Sequence, residues 1–162
     1  MYVDTQEWTA TVANSAEEVL ETMFFCSVIG QATTHLDSDT IWARLRFEGE
    51  PSGTLTVGIS NASARLSTLH FLGLETALDN GLNKSAPSLS QLQQITGELA
   101  NMMCGNILGK RTPTRTYSLS HPEIVTSPPQ TPEGSIVVAL EIEEGQFTIS
   151  LTFDGPEILE CA

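Results

Sequence analysis

The chain has 162 residues, of which 40% are hydrophobic and 17% charged, a balance typical of one globular domain with its own apolar core. Seven Lys and Arg residues against 20 Asp and Glu residues give a formal net charge of −13, which disfavours binding to nucleic acid or to an anionic membrane surface. No apolar run approaches the roughly 20 residues of a membrane span and the start of the chain lacks a secretory signal, so a cytoplasmic protein is expected.

The first predicted elements are a strand, "WTATVA" at 8–13, and a helix, "NSAEEVLETMFFCSVIG" at 14–30. Asn14 or Ser15 is the expected N-cap of this helix, which places Glu18 in its first turn, where the helix dipole favours an anion.

A hairpin and a second helix follow. The segment 39–60 alternates apolar and polar residues on both sides of "GEPSG", which predicts two antiparallel strands with one buried face. Trp8 and Trp42 both fall in predicted strands and are expected to fill the core or a subunit contact. "NASARLSTLHFLGLE" at 61–75 begins with an Asn cap and keeps helical apolar spacing, and 76–88 is a predicted loop.

The second half begins with a long predicted helix from about Leu89 to Leu108. The segment 114–134 is first strand-like and then proline-rich, and 135–153 alternates around "EEG" as a second hairpin. Helices and antiparallel strands in separate blocks predict an α+β fold, in one domain over 1–162 with its core at about 8–153.

The two halves share an internal similarity. "EVLETMFFCSVIG" at 18–30 can be aligned with "ELANMMCGNILG" at 98–109, and strand patterns follow each. A duplicated helix-plus-strands unit explains this, although two short helical segments can also match by chance.

Cysteines and histidines do not indicate a metal site. The three cysteines lack metal-ligand spacing and their odd number cannot be fully paired within one chain. Cys26 and Cys104 lie in apolar surroundings, and we expect both to be buried thiols. The histidines fall in different elements, at His35, His70 and His121. We therefore expect no cofactor or metal bound by this chain itself.

The long helix carries an unusual polar face. Steps of 100° per residue collect one apolar stripe that is expected to face the sheet. Its members are Leu92, Ile95, Leu99, Met102, Met103 and Ile107. A second stripe, turned well away from the first, contains Gln94, Glu98, Asn101 and Gly105. Glu98 and Asn101 are three residues apart, so they are neighbours on this outer face.

Glycines surround the pair, with Gly97 beside Glu98 and Gly105 one turn beyond Asn101. Each glycine inside a helix costs about 0.5–1 kcal/mol relative to alanine. Two of them on an exposed surface indicate that a partner approaches closely. Gln94, Gly97 and Gly105 are therefore expected partner contacts.

A carboxamide next to a carboxylate suits phosphoryl transfer to water. The amide both accepts and donates hydrogen bonds, so it can orient a water molecule without adding negative charge near a phosphoryl group. The carboxylate can bind a cation on a partner. The chain has no phosphate-binding glycine loop of its own, so the phosphate would come with the partner. Such a pair also arises by chance on solvated helices.

The segment "QITGELANMMCGNILGK" at 94–110 resembles the signature helix of the CheX family of chemotaxis phosphatases, relatives of CheC and FliY. "ARLRFEGEPSGTLTVGISNASA" is similar to the family's hairpin leading into a helix, and "YSLSHPEIV" to its strand after the signature helix. The resemblance covers roughly residues 8–153. It implies a CheC-like duplicated α/β unit, with helices packed on one face of an antiparallel sheet, and commonly a homodimer.

The resemblance also implies an activity, the hydrolysis of the aspartyl phosphate of a CheY-like response regulator. Asn101 would orient the attacking water, and Glu98 would bind a lysine of the phosphorylated receiver. Mg²⁺ would come with the receiver. The alternative is a noncatalytic receiver-binding or scaffold protein with the same fold.

CheC-type relatives carry two such helices. In the first helix of this chain, Glu18 and Glu21 occupy the corresponding positions, so a carboxylate stands where the amide is needed. We expect this helix to be catalytically empty and its Glu pair to be solvated.

Overall fold

Segments with helical apolar spacing form helices, and segments with alternating apolar residues form one antiparallel sheet on which the helices pack. The computed structural model describes residues 4–33, 38–73 and 86–155, which form three helices and seven strands. The helices are α1 (Thr5–Met23), α2 (Asn61–Phe71) and α3 (Leu89–Arg111). The strands are β1 (Val28–Gln31), β2 (Ile41–Glu48), β3 (Gly53–Ile59), β4 (Ser118–Leu119), β5 (Glu123–Val125), β6 (Ile136–Ile142) and β7 (Gly145–Phe153).

The strand order has an internal symmetry. It runs β1-β6-β7-β3-β2-β4, with β5 also paired to β2, and every pairing is antiparallel. Exchanging β1, β2 and β3 with β5, β6 and β7 respectively gives the same order read from the opposite edge, with β5 in the place of β4. Helices α1 and α3 precede the two sets of strands. This arrangement is the one that a duplicated helix-plus-strands unit produces.

One face of the sheet is covered by the helices. Along β2, Ile41, Ala43, Leu45 and Phe47 are buried while Arg44 and the other charged residues of the strand are exposed, as period-two alternation requires. Helix α3 packs against α1, β2 and β3, and α1 also packs against β6. The α+β class with an antiparallel sheet is confirmed.

The predicted start of the fold was wrong. The residues at 8–13 are not a strand, because α1 runs from Thr5 to Met23 and is capped by Asp4, whose Oδ1 accepts hydrogen bonds from the backbone N–H of Gln6 and Glu7 at 3.0 and 3.2 Å. The aromatic and β-branched composition of "WTATVA" favours a strand. Burial at helical spacing overrides that preference here. The buried residues of the helix include Trp8, Val12, Ala16, Val19 and Leu20.

Three details of the first half follow from this shift. Neither Asn14 nor Ser15 is an N-cap, because both lie in the middle of α1. Trp8 is a buried helical residue, whereas Trp42 does lie in a strand, β2. The helix also ends well before residue 30: Phe25 adopts a positive φ of 50°, and the chain then enters β1.

The other predicted elements are found close to their expected bounds. Both hairpins are present as β2–β3 and β6–β7. Helix α2 has Ser60 rather than Asn61 as its N-cap. The predicted loop at 76–88 and His35 lie largely or wholly outside the described residues, as does Cys161. Cys26 and Cys104 are buried free thiols, as expected.

Candidate functional site

Helix α3 is fixed at its start by a reciprocal cap. The Ser88 hydroxyl accepts a hydrogen bond from the Gln91 backbone N–H at 3.2 Å, and the Gln91 side-chain oxygen accepts one from the Ser88 N–H at 2.9 Å. The apolar stripe holds the helix to the sheet: Met102 is half-buried, and the others are buried. The helix extends to Arg111, three residues beyond the predicted end.

The predicted polar face of α3 is exposed. Gln94, Glu98, Asn101 and Gly105 are all open to solvent, and Glu98 and Asn101 are one turn apart on the same side of the helix. Neither side chain of the pair makes a hydrogen bond or an ion pair with the described part of the chain. Both are therefore available to an external partner.

The two glycines differ from each other, which corrects the expectation that both are exposed. Gly105 is exposed, and a Cβ added there would meet nothing within 4 Å. Gly97 is buried, and its Cβ would lie 3.3 Å from Cβ of Pro122. The space left by Gly97 is thus taken by this chain's own Pro122 and not left open for a partner.

A pocket of about 490 Å³ begins at Glu98 and extends toward the start of α3. One wall is formed by Ser90, Gln93, Gln94, Ile95, Gly97 and Glu98 of the helix, and the other by His121, Pro122 and Ile124. The sequence did not reveal the second wall. Its only signal in the sequence was the glycine at position 97, which was expected to contact a partner.

The second wall is fixed to the sheet. Strands β4 and β5 both pair with β2. Between them, the Ser120 N–H donates to the Arg46 carbonyl at 2.8 Å, and the Ser120 hydroxyl accepts from the Arg46 N–H at 2.9 Å. Glu123 forms an ion pair with Arg44 at 3.0 Å. Pro122 is therefore held against α3 by the sheet beneath it.

The corresponding glutamates of α1 are engaged within the chain. Glu18 forms an ion pair with Lys110 of α3, and the hydrogen bond from Lys110, followed by its positive charge, lowers the pKa of Glu18. A Glu21 carboxylate oxygen accepts a long hydrogen bond, 3.4 Å, from the Val28 N–H. Both glutamates are exposed, as expected of a solvated pair, but the expectation that they lie at the start of a helix is wrong, because both lie late in α1 and both have partners.

The described residues contain no group of three or more His, Cys, Asp or Glu side chains placed to hold a metal ion. None of the helices in the same residues is both long and apolar enough to cross a bilayer.

Solved structures of chemotaxis proteins share this architecture. The CheX protein of Vibrio vulnificus superposes with a TM-score of 0.72 at 16% identity, over 94% of this chain and 99% of that one. A CheC-like superfamily protein of Shewanella sp. PV-4 gives 0.69 at 18% identity, over 96% and 100% of the two chains. The CheX–CheY–BeF3–Mg²⁺ complex of Borrelia burgdorferi gives 0.62 at 12% identity, over 90% and 97%.

No protein-family model matches the sequence, and no curated protein sequence matches it either. The similarity to solved structures is therefore one of fold, and it extends over nearly the whole chain. It agrees with the resemblance that the α3 segment and the first hairpin indicated. The chain has the CheC-like fold that these CheX proteins share.

Proposed function

We propose that this protein hydrolyses the aspartyl phosphate of a CheY-like receiver and so terminates a chemotaxis signal, with Glu98 and Asn101 as its catalytic pair. One observation carries the proposal. On a CheC-like fold, α3 presents a carboxylate and a carboxamide one turn apart, exposed and without partners in the described part of the chain.

In the proposed reaction, the Asn101 amide oxygen accepts a hydrogen bond from a water molecule, and its NH₂ group donates toward a phosphoryl oxygen. The water oxygen attacks phosphorus while the bond from phosphorus to the receiver's aspartyl oxygen breaks. Inorganic phosphate and a free aspartate result, and the water's protons pass to phosphate and solvent. The amide acts by position and charge, as a water-orienting glutamine does in GTPases.

Glu98 is assigned the docking role. Its exposed carboxylate would bind a lysine of the receiver, which would place Asn101 over the phosphoryl group. Mg²⁺ would be held by the receiver and would neutralise phosphoryl charge from that side. The solved complex of CheX with CheY, BeF3 and Mg²⁺ from Borrelia burgdorferi supports this choice of partner for a protein of the same fold.

The direct test measures phosphate release from a phosphorylated CheY-type receiver with Mg²⁺, comparing the wild type with Asn101→Ala. We expect acceleration by the wild type and a loss of about 10²–10³ in kcat for the variant, the usual effect of removing one positioned polar group. Glu17→Ala, an exposed glutamate of α1, serves as the control and is expected to leave the rate unchanged. No acceleration by the wild type, together with retained receiver binding, would instead favour a noncatalytic receiver-binding protein.

We also propose a homodimer that forms through the β1 edge of the sheet. In the described part of the chain, β1 pairs with β6 only, which leaves its other side free to pair with a second copy. Phe25 and Ile29, just before and within β1, are each 63% exposed. Because β4 and β5 lie at the opposite edge, pairing here leaves Glu98 accessible. Ile29→Lys is expected to give a monomer by light scattering; an unchanged mass would exclude this edge.

A further inference from the structure

The pocket beside Glu98 is a feature of the described surface that the catalytic pair does not explain. It has a volume of about 490 Å³, which exceeds what one water molecule or one ion requires. It begins at Glu98 and ends two helical turns away at Ser90, so it lies alongside the proposed catalytic face and not within it.

The pocket is preformed. Pro122 rests on Gly97, where a side-chain Cβ would come as close as 3.3 Å. On the other side, Ile124 lies opposite Ala43 in the pairing of β5 with β2. A wall held by both a helix and a sheet needs little ordering when a partner binds, and this lowers the entropic cost of binding.

The described lining residues separate into an apolar floor and a polar rim. Ile95 is 9% exposed, and Pro122 and Ile124 are half-buried. Ser90 and Gln94 form much of the exposed rim, together with the imidazole of His121. Glu98, at the proposed catalytic end, is the one carboxylate among the lining residues that the structure describes.

A bound receiver is expected to cover this pocket, because protein interfaces are larger than the catalytic pair alone. A stable interface buries about 800 Å² on each side, far more than two side chains on one helix can supply. A receiver seated on Glu98 and Asn101 must therefore cover surface next to them. The pocket opens directly beside Glu98 and is a concave part of that surface.

We propose that this pocket is a docking subsite for one large, uncharged, mainly apolar side chain of the receiver, and that it sets which receivers are substrates. This inference rests on the proposed function. The floor favours an apolar occupant, and the described residues of the rim include no second carboxylate to pair with a further cation. Because Asn101 positions the water, filling the subsite is expected to change KM and not kcat.

The test fills the pocket from its far end with Ser90→Trp. The matched control is Leu89→Trp, because Leu89 is 60% exposed and lies outside the lining. Two quantities are measured for each protein: the kcat and KM for a phosphorylated CheY-type receiver with Mg²⁺, and the Kd for the same receiver carrying beryllofluoride. Circular dichroism checks that both variants are folded.

We expect Ser90→Trp to raise KM and Kd about tenfold or more with kcat retained, while Leu89→Trp stays near the wild type. Wild-type values for Ser90→Trp, with turnover intact, would overturn the subsite and leave the proposed function standing. If the wild type shows no turnover but Ser90→Trp still weakens binding, the phosphatase proposal fails and the docking subsite stands. No binding by the wild type would overturn both.

A charge exchange tests the chemistry of the occupant. Ser90→Glu and Ser90→Lys place opposite charges at the end of the pocket that lies about 12 Å from Glu98 along the helix. If the occupant is an uncharged apolar side chain, both substitutions should weaken binding to the receiver. Tighter binding by Ser90→Glu together with weaker binding by Ser90→Lys would show a cationic occupant and would overturn the apolar assignment.

Discussion

Helices α1 and α3 occupy corresponding places in the two halves of the molecule, and each carries a glutamate followed three residues later by a second polar side chain. In α1 the glutamate is Glu18, and its charge is met by Lys110 from the other helix. In α3 the glutamate is Glu98, which has no partner in the described part of the chain. The same spacing thus gives an internal ion pair in one half and an open pair in the other.

The pockets next to the two helices also differ in whether they include the glutamate. A pocket of about 420 Å³ lies between the first half of α1, the end of β1 with the residues after it, and β6, but Glu18 is not among its described lining residues. The pocket of α3 does include Glu98. The fold therefore provides two similar frameworks, and local side chains leave an open carboxylate and carboxamide on only one of these two helices. Fold similarity alone could not identify which helix to test.

The largest expected effect comes from making α3 resemble α1. Asn101→Glu would create the Glu-x-x-Glu spacing of α1, with a carboxylate that cannot donate to a phosphoryl oxygen and would repel it. We expect kcat for receiver dephosphorylation to fall by about 10²–10³, at least as far as in Asn101→Ala. A variant that retains half of the wild-type rate would contradict the water-orienting role of the amide.

A smaller effect is expected from neutralising the docking carboxylate. Glu98→Gln keeps the shape but removes the charge that would bind the receiver's lysine, so KM should rise about tenfold while kcat changes little. The loss should shrink at high salt, because screening already weakens the wild-type contact. Titration of KM against ionic strength measures this. An equal loss at low and high salt would argue against a charge contact.

The hairpins and α3 could be predicted because patterns among neighbouring residues in the sequence specify them. Period-two alternation around turn residues fixes β2–β3 and β6–β7, and the 3.6-residue apolar spacing of α3 gives both its buried stripe and its exposed Glu98 and Asn101. The start of α1 was missed because strand propensity and helical spacing conflict in the same six residues. Burial of Trp8 under the sheet decides between them, and burial is a tertiary effect.

The second wall of the pocket could not be predicted for a related reason. Pro122 lies on Gly97 although 25 positions separate them, and no local pattern specifies that contact. A glycine in a helix indicates close approach but does not say by what. In Gly97 the approaching group belongs to the same chain, whereas at Gly105 the surface is open.

The two glycines give a stability comparison. Gly105→Ala places its Cβ in open space and should increase the free energy of unfolding by about 0.5–1 kcal/mol through helix propensity. In Gly97→Ala the new Cβ would press on Pro122, which must shift by a few tenths of an ångström against the pairing of β5 with β2, so the gain should be cancelled or reversed. Urea unfolding of both variants tests this, and equal gains would show that Pro122 yields freely.

The smallest expected effect concerns the ion pair between Glu18 of α1 and Lys110 of α3. The hydrogen bond from Lys110 and then its charge lower the pKa of Glu18 below its ordinary value of 4.5. A carboxyl whose pKa is lowered by folding stabilises the native state above its unfolded pKa and loses that contribution as pH falls through the folded pKa. Lys110→Met should therefore lower Tm slightly at pH 7 and less at pH 3.

The control for this prediction is Arg65→Met. The Arg65 guanidinium donates to the Asn61 side chain at 2.8 Å, a neutral acceptor, so its removal should change Tm by a similar amount at both pH values. If Lys110→Met changes Tm by the same amount at pH 7 and pH 3, Lys110 does not lower the pKa of Glu18 in solution. The Glu18 carboxylate would then be as open to a partner as that of Glu98. The distinction between the two helices would rest on Asn101 alone.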